Sequence, residues 1–166
     1  IFKNNSSLPL FEIEVDESSK VTVYRRKVAI LNSHTLIVYN VDTCLTDEIQ
    51  VSNTTAFTFY RSDNEYIIYN EDNIVHFLDL DSKESFDIAL EEEFQIIELI
   101  PSNFGVFARL DSQVLISIDR SIDPISLESN DNTIIPTADG RFLKIGKYFD
   151  YIDPFSSHIK SLVNAP

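Results

Sequence analysis

The stretch from Ile74 to Asp81, "IVHFLDLD", holds the side chains with the most suggestive chemistry in the chain: His76, Asp79 and Asp81. One imidazole with two carboxylates is the raw material of a metal site or of general acid–base catalysis. The spacing argues against both. On a strand, side chains alternate between faces, so Asp79 and Asp81 share a face and His76, three positions before Asp79, points to the other. The carboxylates read instead as hairpin punctuation. Asp81 is expected to hold the turn through Asx-type hydrogen bonds and Asp79 to support the strand end. His76 is left without an assigned partner.

The remaining candidates lead the same way. Asp119 and Asp123 in "DRSIDPIS" and Asp131 in "ESNDNT" lack the alternating oxygen ligands, Gly and distal Glu of a calcium loop. His34, His76 and His158 lie far apart, and one cysteine cannot found a Cys-rich zinc site. Cys44 is flanked by Asp42 and Asp47, the wrong electrostatic setting for a reactive thiolate. No nucleophile elbow, P-loop or dinucleotide fingerprint is present. Arg25, Arg26 and Lys27 form the only basic cluster and read as a polar turn between strands. Asn4, Asn5 and Asn53 open N-x-Ser/Thr triplets, which carry little weight in a chain so rich in Asn, Ser and Thr. No catalytic, cofactor-binding or metal-ligating residue is assigned, and no cofactor is expected.

Composition sets the frame in which those residues must be placed. The 166 residues suffice for one domain with a real core. Asp and Glu number 27 against 13 Lys and Arg, a formal charge of −14. Such a surface repels phosphate backbones and anionic lipid, so direct nucleic-acid binding and membrane insertion are not expected. No apolar run approaches the ~20 residues that span a bilayer. Methionine is absent even at position 1, so the chain is expected to be a segment of something longer or a processed product. A lone cysteine leans towards a reducing, intracellular setting, cytoplasmic or nuclear.

The elements that position these residues read as strands. Short runs of Val, Ile, Phe and Tyr are broken by Asp, Asn, Ser and Gly clusters, and helical periodicity is nearly absent. The one helical temptation, "FDIALEEEFQIIELI", reads better as two strands about an acidic connection. The runs repeat. Val41-Asp42, Leu80-Asp81, Ile118-Asp119 and Ile152-Asp153 each end a long strand, at steps of 39, 38 and 34 residues. Asp63, Asn103 and Asp139 mark turns 18, 16 and 14 residues upstream of the last three of these Asp residues. Each period is expected to be four antiparallel strands, in the second Ala56 to Tyr60, Glu65 to Asn70, Asn73 to Leu80 and Ser85 to Leu90. Four strands in ~35–45 residues is the size of a propeller blade.

On these residues the chain resembles the WD-repeat family. Thr137, Ala138, Asp139 and Gly140 stand where the family has its first turn. Tyr39-Asn40-Val41-Asp42-Thr43 and Leu78-Asp79-Leu80-Asp81-Ser82 stand where a WD strand closes. There is no Trp, no Gly-His pair, and only three glycines (Gly105, Gly140 and Gly146). The resemblance implies an all-β fold of antiparallel four-stranded β-propeller blades, with about four WD-like repeats. It is read as a single propeller-type domain or segment over residues 1–166, with approximate blades at 21–52, 56–90, 94–129 and 133–162. Residues 1–20 are read as an extra strand and linker, so a partial or open ring is expected. It also implies a non-catalytic protein–protein interaction scaffold in an intracellular multiprotein complex. Its partners would be other protein subunits, with basic surfaces or supplying additional blades. Two other readings stand beside it: a propeller-type hydrolase or lyase acting on a glycan or ester, and an extracellular or lumenal adhesion domain.

Overall fold

A computed structural model describes residues 12, 17–90, 95–103, 105–119, 123–127, 133–146, 148–154 and 158–164. Among these residues sixteen strands form four antiparallel sheets. The first sheet holds β1 (Lys20–Tyr24), β2 (Lys27–Asn32), β3 (Thr35–Asn40) and β4 (Leu45–Gln50). The second holds β5 (Phe57–Arg61), β6 (Glu65–Glu71), β7 (Ile74–Asp79) and β8 (Ser85–Ala89). The third holds β9 (Ile96–Ser102), β10 (Gly105–Leu110), β11 (Val114–Ser117) and β12 (Ile125–Ser126). The fourth holds β13 (Thr133–Pro136), β14 (Phe142–Ile145), β15 (Tyr148–Asp153) and β16 (His158–Asn164). In every sheet each strand pairs with the next in sequence, as expected for up-and-down repeats. The described residues between Phe86 and Ile100 belong to or flank strands β8 and β9; residues 91–94 lie outside the described residues.

The chain divides into two compact units at Asn53 and Thr54. The first unit contains the first sheet, whose middle strands are buried from Ala29 to Leu31 and from Leu36 to Tyr39. In the second unit β9 lies beside both β5 and β13, so first strands neighbour one another and fourth strands lie outermost. The side-chain alternation of β9–β11 then serves two interfaces. Leu99, Val106, Ala108 and Leu110 pack with Ile68, Val75 and Phe77 of the second sheet. Ile100, Phe107 and Leu115 pack with Ile134, Phe142 and Ile152 of the fourth. Phe107 and Phe142 meet edge to face with centroids 4.8 Å apart. A sheet with two apolar faces has no stable life alone; stacking between neighbours buries both.

Three glycines suffice because other residues adopt the left-handed turn conformation. Arg25, Ser33, Cys44, Asn53, Asp72, Lys83 and Gln113 have φ between 50° and 64°. Asn and Asp tolerate this region; for Arg, Lys and Gln it costs ~1–2 kcal/mol.

Candidate functional site

The hairpin joining β7 to β8 is organised by one side chain. Asp79 is 4% exposed and closes β7. Its Oδ1 accepts hydrogen bonds from the Asp81 and Ser82 N–H groups at 2.8 and 2.9 Å. Its Oδ2 accepts one from Asn64 Nδ2 at 2.7 Å. Bonds from the Ser82 and Asp81 amides hold its pKa below the ordinary carboxylate range, against the opposing effect of burial. The expected division of labour is therefore reversed. Asp79 is the Asx residue, and Asp81, exposed and past the strand end, contributes its backbone N–H. Asn40 does the same in the first sheet, where Oδ1 accepts from Asp42 N at 2.9 Å and Thr43 N at 3.3 Å. The informative position lies two residues before the repeating Asp, where the chain has Asn40, Asp79, Ser117 and Tyr151. In the third sheet the direction inverts, and Ser117 Oγ donates to Asp119 Oδ1 at 2.9 Å.

The Asn64–Asp79 bond also ties a sheet's first turn to its third strand, and other chemistry does this elsewhere. In the fourth sheet Tyr151 donates its hydroxyl to Asp139 Oδ2 at 2.8 Å. Thr137 Oγ1 donates to Asp139 Oδ1, and Arg141 Nη1 reaches Oδ2 at 3.0 Å. Bonds from Thr137 and then Tyr151, with a smaller contribution from Arg141, lower the Asp139 pKa from 3.8 to about 2. Arg141 Nε lies 3.4 Å from Asp153 Oδ2, which brings the two repeating acids onto one guanidinium. In the first sheet Arg26 Nε meets Asp42 Oδ1 at 2.8 Å, so one member of the basic cluster braces its own sheet.

His76 lies on the face opposite Asp79, as the alternation requires, and it has partners. Nδ1 is 2.8 Å from Asp87 Oδ1 on β8, and Nε2 is 3.6 Å from Glu71 Oε2 on β6. Its ring stacks on Tyr69 with centroids 4.9 Å apart. Burial, then the charges of Glu71 and Asp87, raise the Tyr69 hydroxyl pKa. His76 thus clips three strands together. Among the described residues no three His, Cys, Asp or Glu side chains are grouped so as to hold a metal ion. Cys44 is exposed, and Asp123 lies exposed between strands. Asp131, Asn4, Asn5 and the side chain of His158 lie outside the described residues.

No protein-family model and no curated protein matches the sequence. Solved structures do match. One is a mitotic checkpoint complex chain, at 13% identity and TM-score 0.65, over 96% of this chain and 60% of that one. A second is the Myceliophteria thermophila Cps50 (Swd1) β-propeller domain, at 17% identity and TM-score 0.62, over 92% of this chain and 57% of that one. A third is a virginiamycin B lyase from Staphylococcus aureus, at 11% identity and TM-score 0.61, over 88% of this chain and 55% of that one. WD40 domains stand among the other matches. The fold is that of WD40-type β-propeller blades. The chain spans about 55–60% of the length of these three structures.

Within that frame, the blades hold polar groups that their sequence did not announce. Asn70, 1% exposed on β6, accepts at Oδ1 from Ala56 N at 2.8 Å and Thr55 N at 3.2 Å. It thereby fixes the entry into the second blade. Lys144 and Asp150 form a buried pair at 2.7 Å, side chains 2% and 7% exposed. They stand opposite each other on β14 and β15, in register with Ile134. Arg109 pairs with Glu98 across β10 and β9, and burial raises the Glu98 pKa against the lowering effect of Arg109. The signal in each case is a polar residue at a core position of the alternation. Its partner lies across a strand pair, so spacing along the chain does not reveal it.

Proposed function

We propose that this chain is a non-catalytic interaction module, a run of propeller blades that docks other protein subunits within an intracellular multiprotein complex, cytoplasmic or nuclear. The observation that carries the reading is the use made of the acidic and polar side chains. Asp79, Asp139, Asn40, Asn64 and His76 are each engaged in bracing strands and turns of their own blade. The likeness to WD40-type propellers, one of them solved in a mitotic checkpoint complex, supports it. The charge of −14 favours partners with basic surfaces over phosphate backbones. Affinity capture with crosslinking in an extract of the source cells tests the reading. Saturable, reproducible crosslinks to defined proteins are expected; capture of nothing specific overturns it.

The match to a lyase keeps a propeller-type lyase or hydrolase as the second reading. It requires carboxylates from different blades within catalytic reach of one another. Turnover of a glycan or ester substrate that survives replacement of Asp79 and Asp139 but not of other carboxylates would establish it.

A further inference from the structure

Strand β8 is the outermost strand of the second blade, and one of its edges faces away from β7. Asp79 N donates to Glu84 O at 2.9 Å and Leu90 N to Asn73 O at 2.9 Å. In an antiparallel ladder, hydrogen-bonded rows alternate with non-bonded ones. In the register of this pair, Phe86 and Ile88 therefore bond to β7. Ser85, Asp87 and Ala89 turn their N–H and C=O groups to the outer edge. Edge strands are ordinarily protected by charged side chains, Lys above all, by Pro or by a bulge, and Asp87 is the one charge within this strand. Ser85–Ala89 contains no Lys or Pro, and its pairing with β7 has no register shift.

The side chains on this edge are shaped for contact. Phe86 is 50% exposed, and its ring stacks on Phe77 with centroids 4.6 Å apart at 10°. Tyr66 meets both rings edge-on at 6.0 and 6.3 Å, and Tyr60 stacks on Tyr66 at 6.4 Å. One aromatic ladder thus crosses all four strands of the blade and ends at the surface. The other face of β8 presents Asp87, with 55% of its side chain exposed. Asp81 and Glu84 precede it, with Lys83 the one nearby cation in the segment. The fourth strand of the first sheet, β4, has no aromatic residue.

We infer that β8 accepts an added strand from a partner protein, an extended basic segment with apolar side chains over Phe86 and Ile88 and Arg or Lys against Asp87. Main-chain bonds to Ser85, Asp87 and Ala89 supply the register, the ladder supplies apolar area, and the acidic margin selects the sign of the partner's charge. The inference rests on the interaction-module reading and sharpens it to one edge.

The test uses short acetylated peptides that alternate valine with arginine, valine with glutamate, or valine with arginine N-methylated on alternate amides. The valine–arginine peptide is expected to slow amide exchange at Ser85, Asp87 and Ala89. Phe86→Ser and Asp87→Asn should each weaken it by roughly tenfold, and the glutamate and N-methylated peptides should not bind. Unchanged exchange at saturating peptide, full affinity in Phe86→Ser, or equal binding of the N-methylated peptide overturns the inference. Cellular crosslinking with the parent and Phe86→Ser chains separates the two levels. Partners retained by both chains, with no exchange effect at β8, sink the β8 site and leave the module reading standing. No partner for either chain sinks the module reading itself.

Discussion

Asn64 Nδ2 donates to Asp79 Oδ2 across fifteen positions, joining the first turn of the second blade to the last residue of its third strand. The same carboxylate caps the following turn through Oδ1. One buried side chain therefore closes two loops that must both form for the blade to hold its register. Asp79→Ala removes both functions, whereas Asp79→Asn keeps an acceptor for the turn and loses the charge. In urea unfolding the midpoint is expected to fall in the order Asp79→Asn, then Asp79→Ala, with the slope m unchanged. Asn64→Ala should add little to Asp79→Ala, because the two share one interaction. Full additivity in that double-mutant cycle would show that the bond contributes nothing.

Asp139 makes an acid-side prediction. Its pKa is about 2 in the folded chain against an ordinary 3.8. A carboxylate with a lowered folded pKa stabilises fully above its unfolded value, and that contribution is lost as pH falls through the folded one. Stability should therefore decline between pH ~4 and ~2. The decline should be shallower in Asp139→Asn, which cannot titrate. Because Asp139 is half exposed, added salt should also flatten it. Parallel acid limbs for parent and variant would rule out Asp139 as a source of the loss.

The architecture was legible because it is written in local patterns. Alternating apolar runs gave the strands, and a landmark recurring at 34 to 39 residues gave the blades. The side-chain roles were legible only in part. Asp81 is the residue that repeats, but the bonding side chain lies two positions earlier, and its type changes from Asn40 to Asp79 to Ser117 to Tyr151. A role that several chemistries can fill leaves no constant letter. His76 and Lys144 were illegible for a different reason: Asp87 and Asp150 meet them across strand pairs, and register sets those meetings.

Lys144 and Asp150 test how much a buried ion pair contributes within one blade. Removing one member of a buried ion pair leaves the other charge desolvated without it, which should destabilise by ~3–5 kcal/mol. Lys144→Met alone is expected to fall in that range. Combining it with Asp150→Leu should recover most of the loss, since a well-packed apolar pair often equals a buried ionic one. Thermal unfolding of the two single variants and the double variant checks this. A double variant as unstable as the sum of the singles would mean that these charges act through other neighbours.

Gln113 offers the opposite kind of change, a substitution that should stabilise. It sits in the β10–β11 turn at φ 64°, exposed, with its N–H donating to Leu110 O at 3.1 Å. Its carbonyl accepts from Leu127 N at 2.6 Å, so the turn is anchored by main-chain atoms that any residue supplies. A side chain in the left-handed region costs ~1–2 kcal/mol, and glycine escapes that cost while giving up ~0.5–1 kcal/mol of unfolded-state entropy. Gln113→Gly is therefore expected to raise stability by up to ~1 kcal/mol. Gln113→Val, β-branched and ill-suited to positive φ, should lower it. If chemical denaturation ranks valine at or above glycine, the turn does not hold the left-handed conformation in solution.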